Sequence, residues 1–308
     1  MTPSTIAPIG FPGGQTPLHL AAEVGDIATV QQLLATGNVI PDFKDRNCNT
    51  PLHLAVKSGH GEIVRLLLEK HNANPTALGD SGTTALHRAA SNGHSDIFQT
   101  LLETGRVSPS SKDSSGNTPL HFAARHGHAA VTKTLLAAGV DPDAKDNHGD
   151  TPFHRAANHG HAEVVKLLIA TGKVDLQLQD RYGDAPLYCA ARNGHEEVVR
   201  QILETKTIDP AAKGEQGDTA LHGAAEFGHL RILKLLVEDS KISPDIKGAD
   251  GGTPLHLAAY NGRSVTVQYL VDTALADVGA VNDKGEIAAE LAEQRGHNDT
   301  AARLRERV

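Results

Sequence analysis

The sequence has no tryptophan, and aromatic residues make up only 3% of its 308 residues. That content is low for a chain built round one large core, where aromatic side chains supply much of the buried area. Only two cysteines are present, Cys48 and Cys189, and they lie far apart in the sequence. They make no disulfide framework, so the composition suits a reducing compartment.

Long apolar runs are also missing. No stretch of 18 apolar residues exists, so we expect no membrane-spanning segment. Residues 1–14 lack a basic run followed by an apolar stretch, so we expect no secretory signal. The formal net charge is −8, which argues against a nucleic-acid partner, since such partners usually demand a basic face. We therefore predict an intracellular protein of the cytoplasm, with the nucleus as an open alternative.

Catalytic motifs are absent as well. The sequence has no Gly-rich phosphate loop, no dinucleotide-binding fingerprint and no Gly-x-Ser-x-Gly elbow. His195-Glu196-Glu197 begins like a zinc-protease motif, but Val199 stands where the second histidine is needed. We therefore predict no enzymatic activity and no cofactor.

What is present is a tetrad, Thr-Pro-Leu-His or a variant of it, that recurs along the whole chain. Seven of its eight intervals are 34 residues and one is 33, a period that indicates a repeat array. The tetrads begin at Thr16, Thr50, Thr84, Thr118, Thr151, Ala185, Thr219, Thr253 and Ile287, and we number repeats 1 to 9 accordingly. We expect residues 1–308 to form a single array. Its parts would be an N-terminal cap unit (1–44), internal units (45–281) and a C-terminal cap unit (282–308).

Each repeat carries the signals of two short helices. In repeat 4, Asp113 and Gly116 mark a turn, Thr118 is an N-cap, and Pro119 occupies the first helical position. Gly127 ends that helix, and a second helix follows with Val131, Leu135 and Leu136 predicted to face inward. A glycine stands two residues before the tetrad in eight repeats of nine, and Cys48 is the exception, so we expect strain at that cysteine.

These residues resemble the ankyrin repeat family, whose pattern is a turn Asp and Gly, Thr-Pro-Leu-His-x-Ala-Ala, Gly-His, and a Val/Ile and Leu-Leu helix. The resemblance covers the whole chain. It implies an all-α solenoid of paired helices with β-hairpin-like tips. Since the common unit of the family has 33 residues, we expect the extra residue in the link after the second helix. Residues 6–12 should lie extended over the first helix pair, and a polar last helix from Asn298 to Val308 should end the array.

Eighteen histidines suggest metal or acid–base chemistry at first sight. Fourteen fall at two fixed positions of the repeat, in the tetrad or directly after the helix-ending glycine, and we interpret these as structural. A tetrad histidine can bond to the neighbouring repeat and hold its register. Of the rest, His126, His148 and His159 lie in adjacent repeats, so a metal site there is an alternative, although no cysteine or carboxylate spacing supports it.

Residues that vary between repeats are free for recognition. By resemblance to the family, the tips and first helices should line a concave groove that binds a protein. Arginine and aromatic residues, which are enriched at interface hot spots, gather at variable positions of repeats 4 to 8. The candidate partner-binding residues are Phe122, Arg125, His126, His148, Arg155, His159, Arg181, Tyr182, Arg192, Phe227 and Tyr260. The alternative for each one is an ordinary solvated turn residue.

Two functions remain open. The first is a non-catalytic protein–protein interaction module that binds its partner through the groove. The second is a regulatory or substrate-adaptor subunit that recruits or inhibits an enzyme. In either case we expect a monomer. The candidate residues are locally basic, so we also expect an acidic partner segment and binding that salt weakens.

Overall fold

The structure is a computed structural model that describes residues 12–307. Contacts between Cα atoms divide the chain into two compact units, an N-terminal unit ending at Asn147 and a C-terminal unit beginning at His148. Each is described by itself below. The segment at residues 6–12 that we expect to lie over the first helix pair falls almost wholly outside the described residues, as does Val308.

Both units consist of helix pairs. The N-terminal unit contains α1 (Pro17–Val24), α2 (Ile27–Ala35), α3 (Pro51–Ser58), α4 (Gly61–Arg65), α5 (Ala85–Asn92), α6 (Ser95–Glu103), α7 (Pro119–His126) and α8 (Ala129–Ala137). The C-terminal unit contains α9 (Pro152–His159), α10 (Ala162–Ala170), α11 (Pro186–Arg192), α12 (Glu196–Glu204), α13 (Ala220–Phe227), α14 (Leu230–Lys234), α15 (Pro254–Tyr260), α16 (Ser264–Asp272), α17 (Ala288–Gln294) and α18 (Asn298–Arg305). Residues 12–307 include no strand, only an isolated bridge between Val281 and Ile287.

The tetrad starts each first helix as predicted. In α1, Thr16 is extended at φ −96°, its hydroxyl accepts the His19 N–H, and Pro17 takes the first helical position. Gly25 then ends the helix in the left-handed conformation at φ 82°, which a side chain would disfavour. The equivalent glycines of all nine repeats have positive φ. The first helices are therefore set by their caps more than by their length of seven or eight residues.

Packing follows the repeat within each unit. First helices contact first helices of the neighbouring repeat, as in α1 with α3 and α11 with α13. Second helices do the same, as in α4 with α6 and α10 with α12. The alanine five residues after each tetrad start is buried in every repeat, where its small size allows close approach of the helices. This tandem packing confirms the predicted all-α ankyrin-repeat fold.

The tips are tight turns joined to their neighbours. The Asp45 carboxylate accepts the N–H groups of Asn47 and Asn49 at 2.9 and 2.8 Å, which confirms the predicted turn chemistry. Cys48 has φ 61°, so the side chain in place of glycine is strained as expected. Backbone bonds link adjacent tips, for example Ser114 N–H to Ser81 O at 3.0 Å.

Two details differ from the expectation. Leu135 is completely buried but Leu136 is only half-buried, because the second helix turns one of the two leucines partly outward. In repeats 2 and 7 the second helix continues as a π-helical turn, over Leu66–Lys70 and Leu235–Asp239. In these two repeats the additional residue, expected in the link after the second helix, is therefore taken up partly by the helix itself. Among residues 12–307, no helix combines the length and apolar character needed to cross a bilayer.

Candidate protein-binding surface

The tetrad histidines are structural. In repeat 1 the Thr16 N–H donates to His19 Nδ1 at 3.1 Å, so Nδ1 must be unprotonated and Nε2 carries the hydrogen. Nε2 lies 2.9 Å from Asn49 O in the next repeat. Burial lowers the pKa of His19. A neutral imidazole that locks its own helix start to the neighbouring tip therefore explains this position, as predicted from the sequence.

Histidines after the helix-ending glycines point back to the preceding repeat. His60 Nε2 lies 3.0 Å from Glu23 O, and His229 Nε2 lies 3.0 Å from Arg192 O. In repeat 8 an arginine replaces this histidine, and Arg263 Nε donates to Glu226 O at the same distance of 3.0 Å. Because an arginine serves equally well, the position requires a hydrogen-bond donor and not a metal ligand.

The metal alternative finds no support. His159 Nδ1 is 2.9 Å from Arg155 O, and its ring stacks on His161 with centroids 6.2 Å apart. Within residues 12–307, no three histidine, cysteine or carboxylate side chains are grouped so that they could hold a metal ion.

Three of the candidate residues lie in the N-terminal unit. Phe122 is half-buried and meets the His87 ring edge-on at a centroid distance of 5.7 Å. Arg125 and His126 are exposed at the end of α7, and the His126 ring lies 6.1 Å from that of His128. Phe122 therefore also packs between repeats, while the two polar residues face outward.

The C-terminal unit carries three arginine–aromatic pairs within repeats 6 to 9. Arg181 lies 4.7 Å from the centre of the Tyr182 ring and also donates to its hydroxyl. Arg192 lies 5.4 Å from the Phe227 ring centre. Arg295, which the sequence did not indicate, lies 4.2 Å from that of Tyr260. Tyr182 and Phe227 remain 52% and 39% exposed, so both rings are open to a partner.

Two candidates serve the scaffold as well. Arg155 is half-buried and forms an ion pair with Asp150 at 3.2 Å. The carbonyl oxygen of His148 accepts the Arg181 N–H at 2.9 Å, a tip-to-tip bond that any residue could form. His148 itself is half-buried at the tip of repeat 5.

A pocket of about 200 Å³ lies among these residues in repeats 5 and 6. Arg155, Tyr182 and Arg192 line it, all three predicted from the sequence. Asp150, Asp180, Asp184 and Tyr188 also line it and were missed. With three carboxylates beside two guanidinium groups, the pocket is not basic, which corrects the expectation of a locally basic patch at this place. The available signal was an aspartate directly before the tetrad in repeats 5, 6 and 7.

The pocket shifts the pKa values of several titratable groups that line it. Burial, followed by the nearby charge of Asp180, raises the pKa of Asp184 to about 6, although Arg192 opposes the shift. Burial and the charge of Asp184 raise the pKa of Tyr188 to about 12 and also raise that of the Cys189 thiol. Tyr188 and Cys189 are therefore neutral at pH 7, whereas Asp184 changes charge near physiological pH.

The comparison with family models agrees with the fold. The model described as ankyrin repeats in three copies matches residues 7–78, 71–146, 132–214, 174–247 and 221–307. Together these overlapping matches span nearly the whole chain. No match was found among curated proteins. Ankyrin repeats are generally protein–protein interaction modules, and the helix pairs, the capped tetrads and these matches together show that the chain belongs to the ankyrin repeat family.

Proposed function

We propose that the chain is a non-catalytic module that binds a partner protein through its tips and the ends of its first helices, which form the binding groove. The C-terminal unit supplies the principal contacts. The observation that carries this proposal is the row of arginine–aromatic pairs at positions that vary between repeats: Arg181 with Tyr182, Arg192 with Phe227, and Arg295 with Tyr260.

These pairs suit an interface for two physical reasons. Arginine and aromatic side chains make large contacts and dominate hot spots. A guanidinium stacked on a ring has already lost part of its rotamer freedom, so less entropy is lost when a partner binds. The buried parts of the same repeats hold the backbone beneath them rigid, and the groove keeps more of its contact energy as affinity.

The charge of the partner follows from the pocket. Arg181 is exposed and can meet an acidic group, in line with the acidic segment predicted from the sequence. The carboxylates beside Arg192 argue against a uniformly acidic segment, so we propose one with charges of both signs. Salt should weaken such an association, because its exposed ion pairs are screened.

The test is an unbiased affinity capture followed by binding measurements with the partner identified. The triple variant Tyr182→Ala, Arg192→Ala, Phe227→Ala should lose at least about 2 kcal/mol of binding free energy, roughly 30-fold in Kd. Its melting curve should change little, because all three side chains are exposed. We leave Arg155 unchanged, because its substitution would remove the ion pair with Asp150.

A matched control changes three exposed residues of the second helices: Lys166→Ala, Glu204→Ala and Arg231→Ala. Binding should be retained in this control. If the control lost affinity and the triple variant did not, the binding surface would lie on the second helices and the proposal would fail. If the partner were an enzyme whose activity changed on binding, the adaptor or inhibitory role would follow.

A further inference from the structure

One carboxylate of the pocket lacks a hydrogen-bond partner. Asp150, Asp184 and Asp218 occupy the same position in repeats 5, 6 and 7, directly before the tetrad. Asp150 pairs with Arg155 at 3.2 Å, and Asp218 accepts the Ala249 N–H at 2.8 Å. The Asp184 carboxylate receives no hydrogen bond from any residue between 12 and 307, although its backbone N–H donates to Asp180 at 2.9 Å.

Repeat 6 differs from repeat 5 by a single exchange near this carboxylate. Five residues after Asp150 stands Arg155, which neutralises it. Five residues after Asp184 stands Cys189, which is neutral and half-buried. The charge of Arg192 lowers the pKa of Asp184, but the Arg192 guanidinium lies over the Phe227 ring. Repeat 6 therefore has the site for an ion pair without the cation that fills it in repeat 5.

We propose that this pocket binds the guanidinium group of an arginine side chain supplied by the partner protein, with Asp184 as its anion and Tyr182 and Tyr188 as its aromatic walls. This inference rests on the proposed function and deepens it. At about 200 Å³ the pocket is smaller than ordinary small-molecule sites and suits one side chain. Arginine fits better than lysine, since its planar fork matches a carboxylate and stacks on aromatic rings.

The surrounding charges favour such a guest. Asp180, Asp218 and Asp150 add negative charge, and Arg155 is already engaged with Asp150. The raised pKa of Asp184, about 6, shows that its anion is poorly compensated in the free protein. An entering guanidinium would stabilise the anion and lower that pKa again. Binding should therefore release a proton below pH 6 and weaken as the pH falls.

The experiment uses N-acetyl-arginine N-methylamide as the probe and the citrulline analogue, which has the same shape but no charge, as its control. Amide NMR spectra of the full chain at pH 7.5 should show saturable shifts around Tyr188 and Arg192 with the arginine probe alone. At pH 5 only about one tenth of Asp184 is ionised, so binding should be about tenfold weaker. Asp184→Asn should abolish the shifts, whereas Glu204→Gln, an equal change of charge outside the pocket lining, should keep them.

A second variant tests the same proposal by adding a cation to the pocket instead of removing its anion. Cys189→Arg places in repeat 6 the guanidinium that repeat 5 already has, so it should fill the pocket and abolish probe binding. It also decides the matter if Asp184→Asn fails to fold. Equal shifts with citrulline, shifts retained in Asp184→Asn or Cys189→Arg, pH-independent binding, or no shift at all would each overturn the inference.

The failure of this inference can be told from failure of the proposed function. A partner that loses affinity for the Tyr182, Arg192, Phe227 triple variant but binds Asp184→Asn as well as the unchanged chain would leave the interface in place. The arginine pocket would then be wrong. Affinity unaffected by the triple variant would instead remove the interface itself.

Discussion

Protonation of the tetrad histidines should destabilise the fold in mild acid, and His53 offers the sharpest test. Thr50 N–H donates to His53 Nδ1 at 3.2 Å, and the side chain is completely buried. A proton on Nδ1 would break this bond and bring a charge into the interior. Burial, together with the charge of Arg88, lowers the pKa of His53 to about 4.

The direction and the size of the change in stability with pH follow from the lowered pKa of His53. The unfolded chain, with an ordinary histidine pKa of 6.5, binds the proton more readily than the folded one. Stability is therefore lost as the pH falls below about 6.5, and the loss levels off below about 4. Between pH 7.5 and pH 5 the loss from His53 alone is about 2 kcal/mol.

His53→Gln isolates this contribution. The glutamine oxygen can still accept the Thr50 N–H, as in a capping box, but it cannot be protonated in this range. Nε2 of His53 has no hydrogen-bond partner among the described residues, so the substitution removes no bond there. Urea unfolding followed by circular dichroism should show that the loss of stability between pH 7.5 and 5 is about 2 kcal/mol smaller in the variant.

His71→Gln is the control, because His71 lies outside the repeat pattern. It should keep the full pH dependence of the unchanged chain. Should His53→Gln lose as much stability on acidification as the unchanged chain, protonation of this buried ring could not be what destabilises the array in acid.

Other substitutions test the packing, the tips and the pocket. Leu135→Ala should cost about 2–5 kcal/mol in urea unfolding because the side chain is fully buried, whereas Ser115→Ala at an exposed tip should stay within about 0.5 kcal/mol. Equal costs would mean that the inner and outer faces are wrongly assigned. Cys48→Gly should stabilise by about 1 kcal/mol because it relieves a φ of 61°, and an unchanged or lower urea midpoint would contradict the strain. Asp184→Asn should raise the melting temperature at pH 7.5, with a gain that shrinks below pH 6 as the native carboxylate becomes protonated; a lower melting temperature would show that the anion has a partner.

The fold could be predicted because its determinants are local and repeated. Thr16, Pro17 and Gly25 each impose a conformation on their own backbone, and nine copies of the pattern remove the ambiguity of one. The half-buried Leu136 and the π-helical turns could not be predicted in this way. The π-helical turns depend on how the additional residue of a 34-residue repeat is absorbed between a packed helix and a fixed tip. The half-burial of Leu136, in the one repeat of 33 residues, depends on how its helix packs against its neighbours.

The candidate site was predictable only in part. Arg192 and Phe227 stand out in the sequence because they are hot-spot residue types at positions that vary between repeats, and the structure stacks them. Asp184 did not stand out, since an aspartate before the tetrad looks like turn chemistry. Whether such a carboxylate has an ion-pair or hydrogen-bond partner depends on a residue five positions later and on a backbone N–H in another repeat. The sequence of one repeat alone therefore cannot predict it.

The contrast between repeats 5 and 6 shows how a regular array can acquire a specific site. The scaffold fixes the backbone at Asp150 and Asp184 alike, so the two carboxylates differ only through what surrounds them. One is neutralised by Arg155, and the other has Cys189 at the equivalent position and remains a poorly compensated anion. Such an anion costs stability in the free protein. Polar groups without a local partner are expected where a protein binds something, and in this chain Asp184 lines the same pocket as the exposed ring of Tyr182.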